Sequence, residues 1–64
     1  MIEFNLIVPV TDKESVRTLE GDNFRIIQGS KMNRRDAHYF LVESDEPTMT
    51  LFVLKYGSEN VWKR

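Results

Sequence analysis

The sequence predicts an α+β fold, a small β-α-β-β-β domain in which a four-stranded, mostly antiparallel sheet carries one short helix on one face. Three observations predict it. Apolar residues alternate at the start of the chain, a short segment with helix-capping residues follows, and three further segments rich in β-branched and aromatic residues are separated by turn residues. With 64 residues, the chain is predicted to form one thin-cored domain, 1–64.

The first strand and the helix are predicted from the first third of the chain. Apolar residues occupy every second position of residues 2–8, the period of a half-buried strand, and Pro9 ends the run because proline cannot donate to a sheet ladder. Thr11 and Glu14 have the spacing of a capping box. Gly21 stands where a helix of about ten residues would stop.

Three more strands are predicted in the rest of the chain. Short turn-like linkers between them favour antiparallel hairpin connections. The predicted strands are Phe24 to Gly29, Ala37 to Glu43 and Thr48 to Tyr56.

The last two predicted strands are apolar on both faces. In the third strand, Phe40 and Val42 share one face, while Tyr39 and Leu41 share the other. One short helix covers only one face of a four-stranded sheet, which leaves a second apolar face. Either a tightly curled sheet covers itself, or this face serves self-association or a partner.

Composition narrows the function classes. The chain has no cysteine, one histidine, ten acidic and nine basic residues, and a net charge of −1. A disulfide framework, a thiolate metal site and a cysteine nucleophile are therefore excluded, and no metal and no cofactor are predicted. His38 has a pKa suited to acid–base work, but the simpler interpretation is a partly exposed structural histidine. No apolar run approaches the roughly 20 residues that span a bilayer, and the lack of cysteine favours the cytoplasm.

Charged residues are predicted to separate to opposite ends of the sheet. An antiparallel meander brings the loop after the second strand and the chain terminus together as a basic end that includes Lys63, and leaves an acidic turn at the other end. This basic end is interpreted as a solvated loop, a protein contact or a nucleic-acid contact. The candidate partner-binding residues are Lys31, Arg34, Arg35, Tyr39, Tyr56, Trp62 and Arg64, and the acidic patch is Glu43, Asp45 and Glu46.

A family resemblance suggests one enzymatic alternative. Residues 39–46, 50–57 and 61–64 resemble the last hairpin and tail of RelE/ParE-type toxins, in which an acidic turn joins two strands before a glycine and a Val-Tyr-Arg-like segment. The resemblance implies a metal-independent RNase that cuts messenger RNA on the ribosome. The residues that it would nominate are Arg34, Arg35, Tyr56 and Arg64. The chain departs from the family at Ser58 and Glu59, where basic residues usually follow the glycine.

The prediction for function is a small, non-enzymatic, cytoplasmic protein-binding module. It would regulate or inhibit a larger protein, in the manner of proteins encoded by phages and other mobile elements. It is also expected to self-associate as a homodimer through the uncovered sheet face. The alternative is a protein that contacts nucleic acid, or a RelE/ParE-like RNase, through the basic end.

Overall fold

The computed structural model describes residues 1–34 and 36–64, and the side chains outside residues 30–35. It confirms the α+β class, with a four-stranded antiparallel sheet and two short helices. No helix in the described ranges is long and apolar enough to cross a membrane. The elements are β1 (Ile2–Pro9), a 3-10 turn (Val10–Asp12), α1 (Lys13–Arg17), β2 (Phe24–Arg34), β3 (Ala37–Ser44), α2 (Glu46–Tyr56), a second 3-10 turn (Ser58–Asn60) and β4 (Val61–Lys63).

The sheet has the strand order β2-β3-β1-β4. β1 and β3 form its centre and pair along their whole length, from Ile2 opposite Ser44 to Pro9 opposite Ala37. β2 pairs with β3 through three irregularities in register. The short β4 returns to the other side of β1, where Trp62 lies opposite Asn5.

The prediction of a fourth strand over Thr48–Tyr56 is wrong, because this segment belongs to helix α2. The side chain of Asp45 accepts a hydrogen bond from the backbone N–H of Thr48 at 3.0 Å, which is the geometry of a helix N-cap. Pro47 in the first turn suits a helix start, because N–H groups there have no acceptor within the helix and the missing N–H of proline costs no hydrogen bond. The fourth strand is instead β4, which follows the helix.

Two further boundaries differ from the prediction. α1 has five residues, and its N-cap is Asp12 and not Thr11, so the predicted capping box between Thr11 and Glu14 does not form. Asp12 itself makes no side-chain capping bond. β2 continues past Gly29 as far as Arg34, which shortens the connection to β3. The long predicted loop after the second strand is therefore largely strand.

The core lies between the sheet and both helices. Phe4, Leu6 and Val8 of β1 point to the same side as Phe40 of β3, and all are fully buried. Val16 of α1 and Phe52 of α2 belong to the same buried cluster. Both helices therefore pack on one face of the sheet, and no helix among the described residues lies on the opposite face.

Candidate partner-binding surface

The sheet face opposite the helices is here called the open face. Residues directly paired across an antiparallel ladder point to the same side, so the register assigns its members. Its members on β1 and β3 alternate in sequence with buried core residues. They include Glu3, Asn5 and Ile7 of β1, Tyr39, Leu41 and Glu43 of β3, Arg25 of β2 and Trp62 of β4.

The centre of the open face is aromatic and apolar. Trp62, Asn5 and Leu41 form one row across three strands. In the next row Tyr39 lies opposite Ile7, which is buried although it belongs to this face. The hydroxyl of Tyr39 donates a hydrogen bond to the Oδ1 atom of Asn5 at 2.6 Å, which holds the phenol ring on this face. The indole of Trp62 remains 51% exposed.

Charged residues line one edge of the open face. Glu3 and Glu43 lie opposite each other on β1 and β3. Arg25 forms a salt bridge with Glu43, and a guanidinium nitrogen of Arg64 lies 4.0 Å from a carboxylate oxygen of Glu3. Each carboxylate therefore has its own cation, which offsets the repulsion expected between like charges on adjacent strands.

The structure brings together only part of the predicted partner-binding set. Tyr39 and Trp62 lie on the open face, separated by the width of β1. Arg64 lies at the charged edge of the open face, where its backbone N–H donates to the carbonyl oxygen of Glu3 at 2.9 Å. The predicted basic end that joined the chain terminus to the loop after the second strand is thus wrong. Its cause is the misassigned fourth strand. The side chains of Lys31, Arg34 and Arg35 lie outside the described residues.

Tyr56 lies on the helix side of the sheet, away from Trp62. Its hydroxyl donates to an Oδ2 atom of Asp12 at 3.0 Å, and its ring stacks on Phe52. Burial and the adjacent Asp12 carboxylate raise the pKa of Tyr56 to about 12. This tyrosine joins the two helical segments.

The predicted acidic patch is also divided. Glu43 lies on the open face, whereas Asp45 caps α2 and Glu46 is the exposed first residue of that helix. Hydrogen bonds from the Thr48 side chain and backbone N–H lower the pKa of Asp45. Asp45 therefore has a local structural role at the start of α2.

Sequence reasoning did not nominate Asn5, Ile7 and Leu41 as site residues. Alternation provided a signal for them, because they have the same parity as the residues that face away from the core. His38 was expected to be partly exposed, but it is buried, and no partner of its Nδ1 atom is found among the described residues. The described residues also contain no group of three or more side chains that would hold a metal ion.

Comparisons with protein-family models, with curated proteins and with solved structures find no match to this chain.

Proposed function

We propose that the protein is a small, non-enzymatic, protein-binding module, a regulator or inhibitor that contacts a larger cytoplasmic protein through its open face. The observation that carries this proposal is the half-exposed Trp62 on a sheet face that no helix covers. On the other side of β1, Tyr39 provides a second aromatic side chain, whose hydroxyl is held by a hydrogen bond to Asn5.

The residue types on the open face are those that dominate the energetics of protein interfaces. Tryptophan, tyrosine and arginine are enriched among residues whose truncation weakens binding most. The Tyr39 side chain is already held by its hydrogen bond to Asn5. It would therefore lose less conformational freedom when a partner binds. A partner that covers Trp62 would remove a large apolar ring from water.

Charge on the open face favours a protein over a nucleic acid. Among the described side chains, Arg25 and Arg64 are each matched by a carboxylate, from Glu43 and Glu3. Binding to phosphates depends on an excess of positive charge, which this balanced edge does not supply. The RelE/ParE-type resemblance required a hairpin through residues 48–56, and that segment is helical.

Trp62 is the only tryptophan of the chain and reports directly on this face. We expect a red-shifted emission from the free protein and a blue shift when a purified partner covers the indole. Free protein with a blue-shifted emission would contradict the exposed anchor.

Partners can be sought in an extract of the native host, with the wild-type protein and two single variants as matched baits. We expect the wild-type and Val10→Ser baits to retain the same protein in equal amounts. The Trp62→Ser bait should not retain it. Val10 is a suitable control because it is an exposed apolar residue in the 3-10 turn, away from β4. The retained protein must then bind purified wild type with the blue shift described above. If retention does not depend on Trp62, the proposal fails.

The sequence analysis also predicts a homodimer through this same face, in which a second copy of the chain would take the place of the partner. Sedimentation of Trp62→Ser against wild type distinguishes it, since a dimer on the open face would dissociate in the variant.

A further inference from the structure

The two edges of the sheet differ in whether their outward backbone groups are bonded. β2 and β4 are the edge strands. An edge strand presents N–H and C=O groups to which another strand can pair, and proteins usually cover or interrupt such an edge. An edge that is neither covered nor interrupted is a candidate contact for an extended segment of another protein.

The edge formed by β2 is closed by the segment that leads into this strand. The backbone N–H of Gly21 donates to the carbonyl oxygen of Phe24 at 2.9 Å. The backbone N–H of Ile26 donates to the Oε2 atom of Glu20 at 3.1 Å. Beyond Ile26, the irregularities in register interrupt the strand, and bulges of this kind discourage the addition of another strand.

The register of β4 directs the backbone of Lys63 away from β1. The N–H of Arg64 donates to the carbonyl oxygen of Glu3 at 2.9 Å, which makes these two residues a hydrogen-bonded pair. Bonded and non-bonded pairs alternate along an antiparallel ladder, so Lys63, one position earlier, belongs to a non-bonded pair. Its N–H and C=O groups therefore point outward, and neither has a hydrogen-bond partner among the residues that the structure describes.

Val61 completes the outward row of this strand. It lies two positions before Lys63, so its C=O group also points outward. Its N–H is already used, because it donates to the carbonyl oxygen of Ser58 in the preceding 3-10 turn. The outward backbone of Val61 and Lys63, here called the β4 edge, thus offers the donor and acceptors that a short antiparallel strand requires.

The side chains of β4 indicate which extended segment fits this edge. Neighbouring side chains of a strand point to opposite faces, so Trp62 lies on the open face and Lys63 on the other. Both are exposed, and Lys63 forms no ion pair within the described part of the chain. An acidic residue opposite Lys63 would form a favourable cross-strand pair, and the residue after it would lie opposite Trp62.

We propose that the partner docks by strand addition, with an extended segment that pairs antiparallel to the β4 edge and carries an acidic residue followed by an apolar one. This inference rests on the proposed function, because it names the part of the partner that reaches Trp62. The acidic residue exchanges two backbone hydrogen bonds with Lys63, and the N–H two positions further along donates to the C=O group of Val61. The backbone bonds provide affinity, and the contacts with Lys63 and Trp62 provide specificity.

A short capped peptide of sequence Thr-Val-Glu-Val-Thr is the probe for strand addition. In a nuclear magnetic resonance titration, we expect roughly millimolar affinity, because only a few backbone bonds form. The Lys63 amide resonance should shift to a saturating value, and the Trp62 emission should shift to the blue. A Lys63 amide resonance that the peptide does not shift at its solubility limit would overturn the proposal.

N-methylation of the peptide tests the backbone bonds without altering the protein. A methyl group on the glutamate nitrogen removes the donor to Lys63, and it should weaken binding about tenfold or more. A methyl group on the nitrogen of the preceding valine is the matched control, because that N–H points away from β4 and its loss should leave the affinity nearly unchanged. Equal effects of the two methyl groups would contradict strand addition.

Lys63→Pro carries the test to the partner that the Trp62-dependent baits identify. Proline removes the outward N–H but no bond to β1, and it is compatible with an edge strand. Lys63→Ala keeps that N–H and is the matched control for the lost side chain. An unchanged Trp62 emission of the free variant checks that β4 is intact, and we expect Lys63→Pro to retain less of the partner than Lys63→Ala does. If these two variants retain the partner equally while Trp62→Ser loses it, strand addition is wrong and the proposed function stands. If Trp62→Ser retains the partner as well, the proposed function itself fails.

Discussion

The hydroxyl of Tyr56 donates a hydrogen bond to the Oδ2 atom of Asp12 at 3.0 Å, and this bond joins the end of α2 to the turn that leads into α1. The two helices have only 11 and 5 residues, lengths at which an isolated helix is marginal in water. The Tyr56 ring also stacks on Phe52 at 6.1 Å between centroids. The helical layer therefore depends on tertiary contacts across its own surface as well as on the sheet.

Tyr56→Phe should lower the free energy of unfolding by about 1 kcal/mol, because it removes one hydrogen bond and keeps the ring. Urea denaturation measures the change. A double-mutant cycle with Asp12→Ala provides the control, since the two losses should not add if the residues interact. Additive losses would contradict the bond.

The same pair predicts a loss of stability at alkaline pH. Burial and the Asp12 carboxylate raise the pKa of Tyr56 to about 12 from an ordinary value of 10.0. The folded state thus favours the neutral phenol, and this contribution is complete below pH 10 and is lost as the pH rises toward 12. We expect the stability difference between wild type and Tyr56→Phe to stay constant up to about pH 10 and to shrink above it. A difference that is unchanged at higher pH would contradict the raised pKa.

Asp45 predicts an effect at acidic pH. Its hydrogen bonds with Thr48 lower its pKa from the ordinary value of 3.8, so the ionised carboxylate is favoured in the folded state. Its contribution is present above pH 3.8 and is lost as the pH falls through the lowered pKa. Asp45→Asn retains a capping oxygen without the charge. Wild type should be more stable than Asp45→Asn at neutral pH, and the two should converge in strong acid, as thermal unfolding across this range would measure.

The sequence predicts the sheet centre well and the second helix poorly, for a physical reason. In β1, Phe4, Leu6 and Val8 are buried at every second position, and in β3 burial alternates from His38 to Ser44, which leaves a period of two although Ile7 and Ala37 are buried as well. Residues 48–56 are apolar at both odd and even positions, so a strand and a helix fit them equally by pattern alone. Asp45 and Pro47 favour a helix start, but Asp-Glu-Pro is equally typical of a turn between strands.

This misassignment also explains why only part of the open face could be predicted from the sequence. The position of Trp62 depends on β4 returning beside β1, and only tertiary packing determines that return. Tyr39 was placed correctly because alternation in β3 alone assigns its face. The prediction places Tyr56 close to Trp62, but in α2 it lies on the helix side of the sheet and bonds to Asp12.

Phe52 and Leu54 distinguish the helix from the predicted strand, in which they would share one face. In α2, Phe52 is buried with its ring 5.1 Å from that of Phe24, whereas Leu54 is exposed. Phe52→Ala should cost about 3–5 kcal/mol, enough to unfold much of a small domain. Leu54→Ala in the monomer should change stability by no more than about 0.5 kcal/mol. Chemical denaturation at low protein concentration measures both, and equal costs would contradict the helical assignment.

Gly57 positions β4, and thus Trp62, by a backbone conformation that other residues rarely adopt. Its φ of 93° and ψ of 150° end α2 and redirect the chain toward β1. A Cβ atom there would also lie 2.6 Å from an Oε1 atom of Glu59. Gly57→Ala should therefore destabilise the fold by about 1–3 kcal/mol and shift the emission of Trp62 as β4 loosens.

The control for this backbone effect is Gly21→Ala, because no atom lies within 4 Å of a Cβ placed at Gly21. The double variant Gly57→Ala/Glu59→Ala separates the two causes. The double variant removes the clash with the Glu59 carboxylate but leaves the backbone strain. In the single variant, the flexible Glu59 side chain can itself move and relieve part of that clash. We expect the double variant to recover only a minority of the lost stability, since positive φ at a residue with a Cβ atom persists. Full recovery would show that the clash with Glu59, and not the backbone conformation, requires glycine at position 57.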